Sequence, residues 1–173
     1  WGPEEHIRPP RIPIRTPRWN CGESFTDKRD GKTYTTVLIG SQCWMRQNIN
    51  VGTKITSCIG GYLGVCSEGG DEMQDQTGYS GTTCGSIQKY CYNDNESNCN
   101  TYGGLYQWDQ AMCGSTTAGA TGICPTGWHV PTHDEYTTLE RAVCTSGSCA
   151  TDFPYDTTTL FYRGTNEGTT LKT

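Results

Sequence analysis

Eleven cysteines, at Cys21, Cys43, Cys58, Cys66, Cys84, Cys91, Cys99, Cys113, Cys124, Cys144 and Cys149, constrain this 173-residue chain more than any other feature. No two stand at the C-x-x-C spacing that lets a pair of thiolates reach one zinc ion, or each other, from a tight turn. They read as disulfides, which places the chain outside the reducing cytosol. Composition explains the need for them, since only 33% of residues are hydrophobic and 18% charged, with Gly, Thr, Ser, Asn and Gln supplying the polarity. A chain with so little to bury requires cross-links, and closing a loop of roughly ten residues contributes about 2 to 4 kcal/mol by restricting the unfolded state. Nearness in sequence suggests Cys58 with Cys66, Cys113 with Cys124 and Cys144 with Cys149, but spacing does not fix connectivity. Eleven is odd. One cysteine is therefore free, bonded to another chain, or lacks a partner lying beyond residue 173.

The length suits one domain with a tail. The net charge of -5 argues against a nucleic-acid-binding surface, and no apolar run longer than the one around Val37-Leu38-Ile39 is present to span a bilayer. The chain opens on Trp1 without a Met, a basic stretch or an apolar run, so an export signal is expected to have been removed already. Residues 1–20 form a distinct arm, holding five of the eight prolines together with Arg8, Arg11, Arg15 and Arg18. The arm's charge is +2, against -7 for the remainder. Proline fixes φ and cannot donate to a ladder, so the arm is expected as polyproline II or an extended edge strand that does not fold alone. Ile7, Ile12 and Ile14, interleaved with Arg8, Arg11 and Arg15, suit a strand laid on a partner, by self-association or on a surface protein. A solvated linker is the alternative.

From Cys21 the pattern turns β-like. Phe25-Thr26-Asp27 and residues 32–39 flank Asp30-Gly31, a dipeptide that accepts a type I′ hairpin turn. Gly40-Ser41 offers a second tight turn before Gln42-Cys43-Trp44-Met45, which predicts a three-stranded meander. Residues 52–85, rich in Gly, Ser and Thr, read as a loop stapled by Cys58 and Cys66. Leu105, Trp108, Ala111 and Met112 recur at helical intervals and predict a helix over residues 102–112. A second helix has a better signal: Thr132 at the N-cap and Glu135 three residues on make a capping box, followed by Tyr136, Leu139, Ala142 and Val143 as an apolar stripe. Near the end stands one short apolar run, Leu160-Phe161-Tyr162.

Four stretches together resemble the Fibrobacter succinogenes major paralogous domain family, a secreted bacterial module. They are Asp30-Gly31-Lys32-Thr33-Tyr34-Thr35-Thr36-Val37 with Ile39-Gly40, then Gln42-Cys43-Trp44-Met45 with Asn48, then residues 92–98 leading to Tyr102-Gly103-Gly104-Leu105-Tyr106-Gln107-Trp108, and Gly122-Ile123-Cys124-Pro125-Thr126-Gly127-Trp128-His129-Val130-Pro131-Thr132. The similarity covers residues 21–173, read as one disulfide-rich domain. Pro-x-Gly-Trp-x-x-Pro-Thr before a capped helix is also similar to the C-type-lectin-like fold, by analogy at fold level. The implied class is α+β: a small disulfide-rich C-type-lectin-like domain with antiparallel strands, two helices and long loops. Members usually continue into Gly-rich, Trp-rich strands that this sequence lacks, so the module is expected to be incomplete or completed by a neighbouring subunit. The family occurs on exported proteins, often beside adhesive or pilin-like segments, and names a module rather than a reaction.

No catalytic set is read. His133 and Asp134 fall in the first turn of a helix, where capping accounts for them. Pro131 and the N-cap separate His129 from His133, so the two do not share a helix face, and His129 reads as a hydrogen-bonded ring. No phosphate loop or nucleophile elbow is present. Asn93, Asp94, Asn95 and Glu96, with Asn98, are the weak calcium candidates, because calcium takes about six to eight oxygens; their spacing is not an EF-hand's, and a solvated Asx-rich turn explains them equally well. No other cofactor is expected. Trp19, Trp44 and the tyrosines suit either sugar stacking or core filling, and Glu68, Asp71, Glu72 and Asp75 read as a solvated acidic loop. The function expected is a non-enzymatic, secreted cell-surface structural or adhesive subunit of an extracellular assembly. The alternative is a monomeric glycan- or calcium-binding lectin-like module.

Overall fold

Ser24–Thr26 (β1), Thr33–Ile39 (β2) and Gln42–Met45 (β3) form the expected meander, an antiparallel sheet in the order β1-β2-β3. Phe25 lies opposite Tyr34, and Val37 opposite Trp44. The two-residue alternation of a strand turns Tyr34 and Thr36 inward. This computed structural model describes residues 20–56, 76, 79–80, 83–155, 164 and 167–171. Residues 1–19, the Cys58 and Cys66 pair, the acidic loop of Glu68, Asp71, Glu72 and Asp75, and Leu160-Phe161-Tyr162 lie outside the described residues.

The β1–β2 connection is not the expected type I′ turn, because Asp30 keeps a negative φ and only Gly31 is positive, at 70°. Side chains select a longer loop instead. The Asp30 carboxylate accepts the Lys32 N–H at 2.9 Å and the Tyr34 hydroxyl at 3.0 Å, and Asp27 closes the loop through its own N–H to Lys32 O at 2.8 Å. The β2–β3 turn at Gly40-Ser41 is tight, as expected, with Ile39 opposite Gln42.

Past the sheet, the segment read as a loop contains short strands. Thr53–Lys54 (β4) pairs with Gln88–Lys89 (β7) in parallel, where only antiparallel strands were expected. Tyr79–Ser80 (β5) pairs antiparallel with Thr83–Cys84 (β6). Gly52 makes the β4–β7 approach possible: its φ is 104°, and a Cβ there would lie 2.5 Å from Ile87 O.

A separate helix, Glu96–Tyr102 (α1), ends where the one expected over residues 102–112 was to begin, and of that one only Trp108–Ala111 (α2) forms. The intervening backbone is spent on long-range bonds instead of a helical ladder. Gly104 N–H donates to Ile49 O, and Leu105 exchanges both of its groups with Tyr90, all at 2.9 Å. Leu105 and Trp108 are accordingly exposed at 52% and 65% rather than sharing a buried face.

His133–Val143 (α3) begins as read, with the Thr132–Glu135 capping box formed in both directions. Its buried stripe is narrower than expected: Leu139 is 5% exposed, whereas Tyr136 is 49% exposed and Ala142 lies on the surface. Cys149–Asp152 (α4) and Glu167–Thr170 (α5) complete five short helices among the described residues, where two were expected. Arg141 ties α3 to α4 and to the chain just after it, donating to Ala150 O at 3.0 Å and Phe153 O at 2.7 Å, with its guanidinium 4.1 Å above the Tyr155 ring.

The core is small: Val51, Ile87, Cys113 and Ile123, with Ile49, Tyr106 and Ala111 against them. Disulfides join Cys21 to Cys43, Cys84 to Cys113, Cys91 to Cys99 and Cys144 to Cys149. The Cys144–Cys149 pairing is as expected; the Cys113–Cys124 pairing is not. Cys113 sits in the core facing Cys84, their Cα atoms 4.9 Å apart. Cys124 lines a different surface and is the one unpaired cysteine among the described residues. No helix among the described residues is long and apolar enough to cross a membrane.

Leu139→Ala is expected to cost about 2 to 5 kcal/mol as a buried truncation, and Thr132→Ala about 1 kcal/mol as a lost cap. Chemical denaturation of both variants measures the two losses, and equal midpoints would place α3 off the core. Asp27, its side chain 3% exposed, binds Arg29 at 2.6 Å. Hydrogen bonding from the Arg29 side chain holds its carboxyl below the ordinary 3.8. A depressed carboxylate stabilises the fold above its unfolded value and loses that contribution as pH falls through the folded one. Asp27→Asn should thus lower the melting temperature at neutral pH, with the gap to the native protein closing as pH drops below 3.8.

Candidate functional site

The two best-defined sequence motifs fold into facing walls. One wall is β3, bearing Gln42, Trp44 and Met45; the other is the loop carrying Cys124, Trp128 and His129, and between them runs a cavity of about 660 Å³. The loop is fixed from below. Ile123 N–H donates to Ala111 O at 2.9 Å, Trp128 N–H to Pro125 O at 2.9 Å and Val130 N–H to Ala120 O at 2.9 Å. Trp128 then stacks on Phe25 at 5.5 Å, and Phe25 on Tyr34 at 5.7 Å, which registers the loop against the sheet. Trp44 meets the Tyr136 ring edge-on at 6.3 Å. Cys21, Cys43, Pro131 and Glu135 also line the cavity.

Three polar atoms of the lining residues are buried without a hydrogen-bond partner: Gln42 Oε1, Trp44 Nε1 and Trp128 Nε1. Each such group costs about 1 to 3 kcal/mol when left unmade. Along the same groove, β3 is an edge strand among the described residues, with β2 on one side only. Burial pushes the Cys124 thiol up to about 11, against a smaller opposing pull from Arg29. A thiol so shifted is almost wholly protonated at neutral pH and is a poor nucleophile.

His129 Nε2 lies 2.9 Å from both Glu135 oxygens. The same carboxylate accepts the Thr132 N–H at 2.9 Å and the Thr132 hydroxyl at 3.0 Å. That backbone bond leads the causes that hold the Glu135 carboxyl below its ordinary range. Both side chains are thereby committed to the helix start.

The loop of calcium candidates is elsewhere. Asp94 Oδ1 pairs with Lys54 Nζ at 2.6 Å, and Glu96 Oε1 stands 3.6 Å from Lys89 Nζ. Asn95 Oδ1 caps α1, accepting the Ser97 N–H at 3.0 Å, while Asn98 donates to Tyr92 O at 2.7 Å. Two lysines already stand where a cation would be drawn. Among the described residues no group of three or more His, Cys, Asp and Glu is arranged to hold a metal ion. The arm residues Ile7, Arg8, Arg11, Ile12, Ile14 and Arg15 lie outside the described residues.

A sequence profile of the Fibrobacter succinogenes major domain matches residues 37–173. The chain belongs to this family. The matched part of the Fibrobacter succinogenes major domain begins within β2 and takes in every groove residue except Cys21. No curated protein and no solved structure matches the chain.

Trp44 was legible in the sequence as an aromatic candidate, whereas Cys124 was read only as a disulfide partner of Cys113 and Gln42 and Trp128 only as part of the resemblance. Their signal was present in the two motifs that carry the family resemblance, Gln42-Cys43-Trp44-Met45 and Gly122-Ile123-Cys124-Pro125-Thr126-Gly127-Trp128. The prediction at this site concerns reactivity: Cys124 should alkylate slowly in the folded protein near neutral pH and rapidly after denaturation, by iodoacetamide labelling read by mass. Equal rates in the two states would mean that the thiol is not sequestered.

Proposed function

We propose that this chain is a secreted, non-enzymatic structural or adhesive subunit of an extracellular assembly, and that the groove of one copy receives the arm, residues 1–20, of another. The observation that carries this reading is the aromatic groove itself, lined by Trp44 and Trp128. A Pro-rich segment in an extended conformation has carbonyls not used internally, and aromatic-lined grooves recognise such segments by apolar contact and donated N–H bonds. The arm offers Ile7, Ile12 and Ile14 for the apolar floor, and its +2 charge complements the -7 of the remainder. Proline limits the ladder bonds available along the β3 edge, so each contact is modest and a chain of repeated contacts supplies the avidity. The disulfides fit an oxidising, extracellular setting.

The same aromatic groove, lined also by Gln47, Asn48 and Glu135, supports a second reading as a monomeric lectin-like module that stacks a sugar ring. Light scattering and electron microscopy of the intact chain, of the chain lacking residues 1–20 and of Trp44→Ala separate the two. Assembly by the intact chain and loss in both variants is the expected result, with added salt weakening it through the arginines. Equal assembly with and without the arm overturns the arm-in-groove reading. A uniformly monomeric protein whose melting temperature rises with added oligosaccharide or calcium replaces it with the lectin-like one.

A further inference from the structure

We propose that Lys89 and Asn50 condense into an intramolecular isopeptide bond, with Glu96 as the carboxyl that carries the proton. The three residues come together beside the β4–β7 pair, and none of them lines the groove. Lys89, in β7, is 4% exposed, and Asn50, just ahead of β4, is also 4% exposed. Lys89 Nζ lies 2.7 Å from Asn50 Oδ1 and 3.0 Å from Asn50 O. Glu96 Oε1 lies 3.6 Å from the same Nζ. An amine, a carboxamide and a carboxyl are thus preassembled, which removes most of the entropic barrier to a reaction that free groups do not undergo.

The details of each partner suit the step. Burying an ammonium without full pairing is costly, and burial accordingly lowers the Lys89 pKa from 10.5 toward the amine, the reactive form. Asn50 is held by its backbone, its N–H donating to the Tyr34 hydroxyl at 3.0 Å, so a rotation about Cβ–Cγ is enough to present the face of the carboxamide to Nζ. Its Nδ2 is buried with no hydrogen-bond partner, so nothing in the site retains the group that must leave. The Glu96 side chain is 56% exposed, linking the reaction centre to solvent.

The balance is simple. The Lys89 ammonium gives one proton to Glu96, the Nζ lone pair attacks Asn50 Cγ, and a new C–N bond forms. As the tetrahedral adduct collapses the Cγ–Nδ2 bond breaks: Nδ2 takes up the second Nζ proton together with the one held by Glu96 and leaves as ammonium, returning Glu96 to the carboxylate. No oxidant or reductant takes part. The product is an amide tying two chain segments whose ends are 39 residues apart, beside the Cys91–Cys99 and Cys84–Cys113 disulfides and, unlike them, indifferent to reduction.

Intact mass after full reduction and alkylation tests the proposal on the whole chain, with proteolysis to locate the link. The expected result is a mass lower than the sequence mass by one ammonia, and a branched peptide joining residues 50 and 89, which also excludes a cyclised asparagine as the source of the loss. Lys89→Arg and Asn50→Ala should have their full sequence masses. Glu96→Gln, altering a half-exposed side chain, should keep the native circular dichroism spectrum and show no branched peptide. Full mass and separate linear peptides from the folded native chain overturn the proposal, and a branched peptide in Glu96→Gln overturns the part assigned to Glu96.

Discussion

Covalent closure of loops is the constraint on which the rest of this structure depends. The buried apolar cluster is a handful of side chains, and most strands are two or three residues long, too short to hold themselves by ladder bonds. Restricting the unfolded chain compensates for what burial does not supply. The described disulfides accordingly sit where regular structure is thinnest: one ends β6, one brackets the approach to α1, one closes the turn between α3 and α4, and one holds β3 to the segment ahead of β1.

How much of this was legible in the sequence depended on whether the controlling interaction was local. The capping box at Thr132 and Glu135 involves residues three apart, and α3 forms where it was read. The meander was legible because β2 is long enough to show a two-residue alternation. The helix over residues 102–112 failed because Ile49 and Tyr90, far away in sequence, capture the backbone between α1 and α2. Tertiary pairing overrode an apolar spacing that was real in sequence and idle in space, since Leu105 and Trp108 face solvent. The Cys113–Cys124 pairing failed for a related reason: proximity along the chain is no guide when adjacent segments face a core on one side and a groove on the other.

The candidate site was only half legible. Its residues were in the motifs that carry the resemblance, but that they form facing walls follows from the Phe25, Tyr34 and Trp128 stack, which joins three separate segments. The buried Lys89 was invisible in sequence, because a lysine at an inward position of a two-residue strand has no periodic pattern to violate. Its surroundings explain its placement: Asn50 and Glu96 both turn polar atoms toward it.

The Cys21–Cys43 bond also has a mechanical meaning. It encloses β1, β2 and both of their turns in one covalent ring spanning 22 positions. A pull applied to the chain ahead of Cys21 therefore passes through sulfur directly into β3, and the ring it bypasses bears none of the load. The β1–β2 hairpin lies wholly inside that ring and cannot be peeled open, since the chain between Cys21 and Cys43 releases no slack. Extension would have to begin past Cys43, where Trp44 and Met45 lie outside the ring opposite Val37 and Thr36, while the segment bearing Phe25 and Tyr34 stays closed.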